Sequence, residues 1–183
     1  MEQLTDAQLI ERIRNGEMNL FSELVLRYQN KLFAYVYRLV GHKEEAEDVL
    51  QEIFIKVYKN LNSFEADRKF SSWIYRISHN EAINFLKKNR KVLVLYYEDD
   101  DYLLKKLKTD NNFLKDIITT ETSQQLKKVL AKLPPKYQEV IILKYLEEKS
   151  YEEIAVILHK PINTVGTLLN RAKSQLKKLL INK

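Results

Sequence analysis

The sequence predicts an all-α fold: two small helical domains joined by a flexible acidic linker, the second a helix-turn-helix. Three observations carry that expectation. The 183 residues include only three Gly and three Pro, and long stretches rich in Leu, Ile, Lys and Glu leave little material for hairpins. Apolar residues recur with the 3.6-residue period of a helix on both sides of a stretch, about 92 to 120, where the period lapses. Two helical segments near the C-terminus are separated only by His159-Lys160-Pro161, the spacing of a helix-turn-helix.

Composition removes several function classes. Cysteine is absent, so disulfides, thiolate metal sites and cysteine nucleophiles are excluded. His42, His79 and His159 are scattered without metal-ligand spacing. No apolar run approaches the roughly 20 residues needed to span a bilayer, and Met1-Glu2-Gln3 opens without a basic, apolar leader. The expectation is a cytoplasmic protein without cofactor, metal or membrane insertion. The net charge of +6 favours an anionic partner without choosing nucleic acid over a membrane surface.

In chain order, Thr5 and Asp6 precede Leu9, Ile10 and Ile13, a short amphipathic helix stopped by Asn15-Gly16. Leu20 to Val40 places Phe21, Leu24, Val25, Tyr28, Leu32, Tyr35, Val36 and Leu39 at helical spacing before Gly41. From Glu44 to Leu61, Val49, Ile53, Val57 and Leu61 form an inward face, and Glu44, Glu45, Glu47, Asp48 and Glu52 an acidic outward one. On a basic protein such a face invites a basic protein partner; it is equally what a solvated helix N-terminus carries. Asn62 to Lys69 reads as a loop.

The helix from Phe70 to Lys91 organises the first domain. Phe70, Trp73, Ile74, Ile77 and Phe85 are assigned to its packed side and Arg76, Asn80, Asn84, Lys87 and Arg90 to the side that can meet phosphate, with Ser71 and Ser72 as candidate N-caps. Trp73 is read as core rather than as a wedge between bases. The carboxylate run Glu98 to Asp101 lacks the Gly and the spaced ligands of a calcium loop, and is read as a solvated linker or a nucleic-acid mimic.

Helical period resumes at Thr122 with Leu126, Val129, Leu130 and Leu133, and stops at Pro134-Pro135. Tyr137 to Leu146 should bury Val140, Ile141, Leu143 and Leu146. Ser150 and Glu153 form a capping box opening a helix from Tyr151 to Leu158. The last helix, from about Asn163 to Leu180, carries Thr164, Thr167, Asn170, Arg171, Lys173, Lys177 and Lys178.

Several of these motifs, in this order, resemble the extracytoplasmic-function sigma factors of bacterial RNA polymerase: Asp48-Val-Leu-Gln-Glu-Ile-Phe54 to Tyr58, Phe70-Ser-Ser-Trp-Ile-Tyr-Arg-Ile77 with Asn80, Leu133-Pro134, Ser150-Tyr-Glu-Glu-Ile-Ala155, and Arg171-Ala-Lys173. The likeness covers nearly the whole chain. It implies a first domain over residues 1–91 that binds the core enzyme and reads and melts the −10 element. A linker over 92–120 and a second domain over 121–183 that reads the −35 element follow. No catalytic residue comes with it. The resemblance puts Asp48, Gln51 and Glu52 at the docking face for the β′ clamp helices, with the β subunit as a further contact of the core enzyme. It puts Phe64, Asp67, Arg68 and Lys69 in the loop that captures a −10 base, and Arg76, Asn80, Asn84 and Lys87 on the helix facing −10 DNA. Thr164, Thr167, Asn170, Arg171, Lys173 and Lys177 become the −35 contacts. The partners implied are core RNA polymerase, promoter DNA and an anti-sigma factor, often membrane-bound in the family.

Two departures stand out. Where the family commonly has Gly-Thr-Val followed by cations, this chain has Asn163-Thr-Val-Gly-Thr-Leu168, and His159 occupies a turn position where Gly is frequent. The first rival reading is a stand-alone helix-turn-helix regulator that binds duplex without polymerase and gives the acidic helix no task. A metal-dependent nuclease built on Asp99 to Asp101 and a membrane-surface protein have less support.

Overall fold

The computed structural model describes residues 4–91 and 128–181; the expected linker and the positions from Thr122 to Lys127 lie outside them. The chain divides into two compact units, Met1–Leu93 and Val94–Lys183.

The first unit contains α1 (Asp6–Arg14), α2 (Phe21–Val40), α3 (Lys43–Asn60) and α4 (Phe70–Lys88), with 3-10 turns at Met18–Leu20 and Leu61–Ser63. Thr5 caps α1 through a reciprocal box with Gln8, and Gly41 ends α2 at φ 84°, a left-handed position that Gly takes without strain. α2 packs on both α3 and α4, and α3 on α4. Leu24, Leu32, Tyr35, Val36 and Leu39 of α2 and Ala46, Val49, Ile53 and Val57 of α3 are buried in the core.

α4 differs from expectation in two ways. Its N-cap is Lys69, without a side-chain cap bond, so neither Ser71 nor Ser72 caps it; Ser72 is buried one turn inside. Its deepest side beyond Ile74 is Tyr75, Ser78, His79, Ala82 and Leu86, whereas Ile77 and Phe85 are half-buried. The phase is hidden in the sequence because polar and small residues occupy it. Ser78 and His79 are both satisfied there: Ser78 Oγ donates to the Ile74 carbonyl at 2.8 Å, and His79 Nδ1 shares a 2.9 Å hydrogen bond with the Tyr35 hydroxyl of α2. Phe64, Phe70 and Trp73 form an aromatic cluster at the start of the helix, with centroids 5.2 to 5.6 Å apart, and Trp73 is core as expected.

In the second unit, helical residues 128–130 lead to a turn ending at Pro134. α5 (Pro135–Ile141) starts with Pro at its first position and runs into a π-helical turn, Ile142–Leu146. The amides of Glu147 and Lys149 bond back to Ile142 and Leu143. This widening departs from the plain helix expected for Tyr137 to Leu146, and it buries Ile142 and Tyr145 alongside Val140, Ile141 and Leu143 while Leu146 is only half-buried. α6 (Tyr151–Leu158) has the expected Ser150–Glu153 capping box. It stops at His159, which holds φ 51°, ψ 51°. α7 (Ile162–Ile181) packs on α5 and α6 through Val165, Leu168, Leu169, Ala172 and Leu176.

Candidate docking face and nucleic-acid interface

The side of α3 opposite its core residues carries the candidate docking residues. Asp48, Gln51 and Glu52 are all exposed there, and the 100° step per residue puts them on one strip with Glu44 and Ile55. Ile55 is 45% exposed, an apolar side chain one turn beyond Gln51 and Glu52. Residue-type reasoning passes over it, although its mismatch with the Val49, Ile53, Val57 phase is visible in the sequence. Glu45 lies off the strip, half-buried and paired with Lys91 at 2.5 Å, so it is removed from the acidic face by an internal ion pair.

On α4, Asn80, Asn84 and Lys87 are exposed and Arg76 is half-buried, all along one outward stripe. Trp73 continues that stripe toward the helix start, where Phe64 covers it. Phe64 itself is 4% exposed, so as placed it supports the 62–69 loop from beneath rather than facing solvent. Asp67, Arg68 and Lys69 are exposed, and Arg68 pairs with Glu65 at 2.6 Å inside the loop. Asn84 stands at a boundary: with Asp48, Val49, Glu52, Glu81, Phe85 and Lys88 it lines a groove of about 410 Å³ between α3 and α4. Carboxylates repel phosphate at this range, so Asn84 marks the limit of any DNA-facing stripe.

The N-terminal helix is tied to this domain by charge. Arg27 bonds Asp6 at 3.0 Å and Glu23 at 2.5 Å, and the Tyr28 hydroxyl donates to Asp6. Burial, and then that bond to Asp6, raise the Tyr28 phenol above its usual range.

In the second unit the outward side of α7 brings together Thr164, Thr167, Asn170 and Arg171, all exposed, with Ser174 and Lys178 on the same side. The latter two are absent from the expected contacts, and the helical phase could have supplied them. Lys177 is exposed at the edge. Lys173 is half-buried on the flank, its ammonium 5.7 Å from the Tyr145 ring centroid, so part of its charge is engaged by its own domain. Among the described residues no cluster suited to a metal ion occurs, and no helix is long and apolar enough to cross a membrane.

An acidic helix face, a polar and basic stripe beside an exposed loop, and a helix-turn-helix occur in one chain, and two family models of a bacterial transcription-initiation subunit match it. Sigma-70 region 2 matches residues 24–92 and Sigma-70 region 4 matches residues 123–176. The chain is 35% identical to the ECF RNA polymerase sigma factor SigW of Bacillus subtilis, covering 93% of this chain and 94% of that one. It is 35% identical to the ECF RNA polymerase sigma-E factor of Escherichia coli K12, over 94% and 92% respectively. Among solved structures, CnrH in complex with the cytosolic domain of CnrY aligns over 96% of both chains, with TM-score 0.65 and 24% identity. The sigma factor RpoE in complex with the anti-sigma factor NepR, from Bartonella quintana, aligns over 89% of this chain and 98% of that one, with TM-score 0.64 and 23% identity; both likenesses are of fold. The chain belongs to the ECF sigma factors of bacterial RNA polymerase. A region 2 domain and similarity over nearly the whole length of such factors set aside the stand-alone regulator.

Proposed function

We propose that this sigma factor docks on the core enzyme, at the β′ clamp helices, through Asp48, Gln51 and Glu52 with Ile55 at the C-terminal end of the face. It reads and traps the −10 strand with the 62–69 loop and the Arg76, Asn80, Lys87 stripe, and it reads −35 duplex with the outward side of α7. The observation that carries the reading is the separation of the two charged surfaces in the first domain. Exposed carboxylates gather on α3, amides and cations on α4, and one groove divides them. A polyanion and a protein partner can therefore be held at once without competing.

Energetics support a subunit rather than a self-sufficient melting protein. Opening about ten base steps costs on the order of 14 kcal/mol at ~1.4 kcal/mol per step. Stacking one captured base returns only ~1 to 3 kcal/mol. The remainder has to come from the contact surface of the polymerase, and bond-making chemistry belongs to that enzyme. The site of action is then the cytoplasm. An anti-sigma factor, soluble or membrane-bound, is a further partner in this reading, as NepR is for the solved RpoE chain of like fold.

The test is co-purification of the tagged chain with bacterial core polymerase. Wild type should bind, and Asp48→Arg with Glu52→Arg should not while remaining folded. Equal binding by both would place the docking face elsewhere.

A further inference from the structure

From Glu65 to Lys69 every side chain of the loop is exposed, yet its root is held from a distant part of the chain. Arg14, the last residue of α1, donates from Nε and Nη2 to the Leu61 carbonyl at 3.2 and 2.7 Å, and from Nη2 to the Phe64 carbonyl. Those two carbonyls bracket the 3-10 turn Leu61–Ser63, so one guanidinium fixes both the end of α3 and the start of the loop. A planar fork of donors can satisfy two carbonyls together; a lysine ammonium is a point donor on a flexible stem.

The other end of α1 reaches the same root by a second route. Asp6 accepts from the Tyr28 hydroxyl, the Tyr28 ring meets Phe70 edge-on at 5.4 Å, and Phe70 meets Phe64 edge-on at 5.4 Å. The turn inside the loop, closed by the Arg68 amide on the Glu65 carbonyl at 3.1 Å, is internal to it and moves with it. Where the loop points is therefore set at its root.

We propose that Arg14 is a positioning residue for −10 recognition: by clamping the Leu61 and Phe64 carbonyls it sets the height and direction at which residues 65–69 meet a displaced base. This rests on the reading of the loop given above. It gives α1, which the region 2 match starting at residue 24 does not include, a part in promoter selectivity that no surface contact of its own would supply.

The experiment uses holoenzyme reconstituted from core polymerase and the full chain, on promoters carrying 2-aminopurine at the melted −10 base. The readout is the ratio of open-complex formation on the matched −10 sequence to that on a −10-substituted one. Arg14→Gln should lower this ratio by roughly tenfold, the scale of one charge-assisted hydrogen bond, with core binding unchanged, and Arg14→Lys should recover part of it. A purely structural role would lower thermal stability yet leave the ratio intact below the transition, and that result would overturn the proposal. The paired variant Arg68→Ala with Lys69→Ala separates the two readings. If it lowers the ratio while Arg14→Gln does not, the positioning role alone fails; if it changes nothing, the loop reading fails and this inference with it. Should Arg14→Gln not fold, Arg14→Lys carries the same comparison.

Discussion

The ring of Tyr151 lies 3.7 Å from the point where a Cβ on Gly166 would stand, an ordinary van der Waals distance. The first helix of the helix-turn-helix thus leaves room for a side chain on the second, and Gly166 lies within α7 without a positive φ.

Gly166→Ala should therefore stabilise the C-terminal domain by about 1 kcal/mol, the propensity difference in a helix interior. For a domain of this size that is roughly 4–8 °C in Tm. Thermal unfolding of the full chain, followed by circular dichroism, checks it; destabilisation would mean that the Tyr151 ring cannot yield.

The stop of α6 offers a second gain. His159 adopts a left-handed conformation that costs a residue with a Cβ ~1 to 2 kcal/mol. The extra freedom of Gly in the unfolded chain returns part of that. His159→Gly should raise stability by about 0.5–1 kcal/mol in urea unfolding, and an unchanged midpoint would locate the strain elsewhere.

For the α4 stripe proposed to face DNA, the double variant Asn80→Ala and Lys87→Ala should leave core binding intact, because both side chains are exposed on the side of α4 away from its core. It should slow open-complex formation by about tenfold or more, and flatten the salt dependence by roughly one charge through the lost lysine. Rates measured across a salt series decide it, and wild-type kinetics would remove both residues from the interface.

The Tyr28 phenol gives a pH signature. Its folded pKa lies above the unfolded value, so the protonated form stabilises the fold. That contribution is complete below about pH 10, the unfolded tyrosine value, and is lost as pH rises from there through the folded value. Wild type should lose stability above pH 10 more steeply than Tyr28→Phe, in which the group is absent. Parallel curves in alkaline denaturant titrations would contradict the buried placement of the Tyr28 phenol beside Asp6.

Most helix limits and the acidic face were legible because they rest on local signals. Caps at Thr5 and Ser150, a stop at Gly41 and the phase Val49, Ile53, Val57 involve residues a few positions apart. What escaped depends on partners distant in sequence. The buried side of α4 runs through His79, which qualifies as core because Tyr35, 44 residues earlier, shares its hydrogen bond. Phe64 lies in a stretch that reads as a surface loop, and only the packing of Phe70 and Trp73 takes it inside. Lys173 counts as a free cation by type, but its ammonium lies 5.7 Å from the ring centroid of Tyr145, 28 residues earlier. Ile55 and Lys178 were recoverable by following the helical phase through residues of every type.

The Tyr35–His79 bond also acts as a registration key. The rest of the contact between α2 and α4 is built largely of aliphatic and aromatic side chains, whose attraction is non-directional. A slip would part this hydroxyl from this imidazole and set both against hydrocarbon, at a cost of about 1–3 kcal/mol for each group left unsatisfied. One polar pair thereby discriminates the native docking of two helices from its near neighbours, and it fixes the height of the α4 stripe relative to α2.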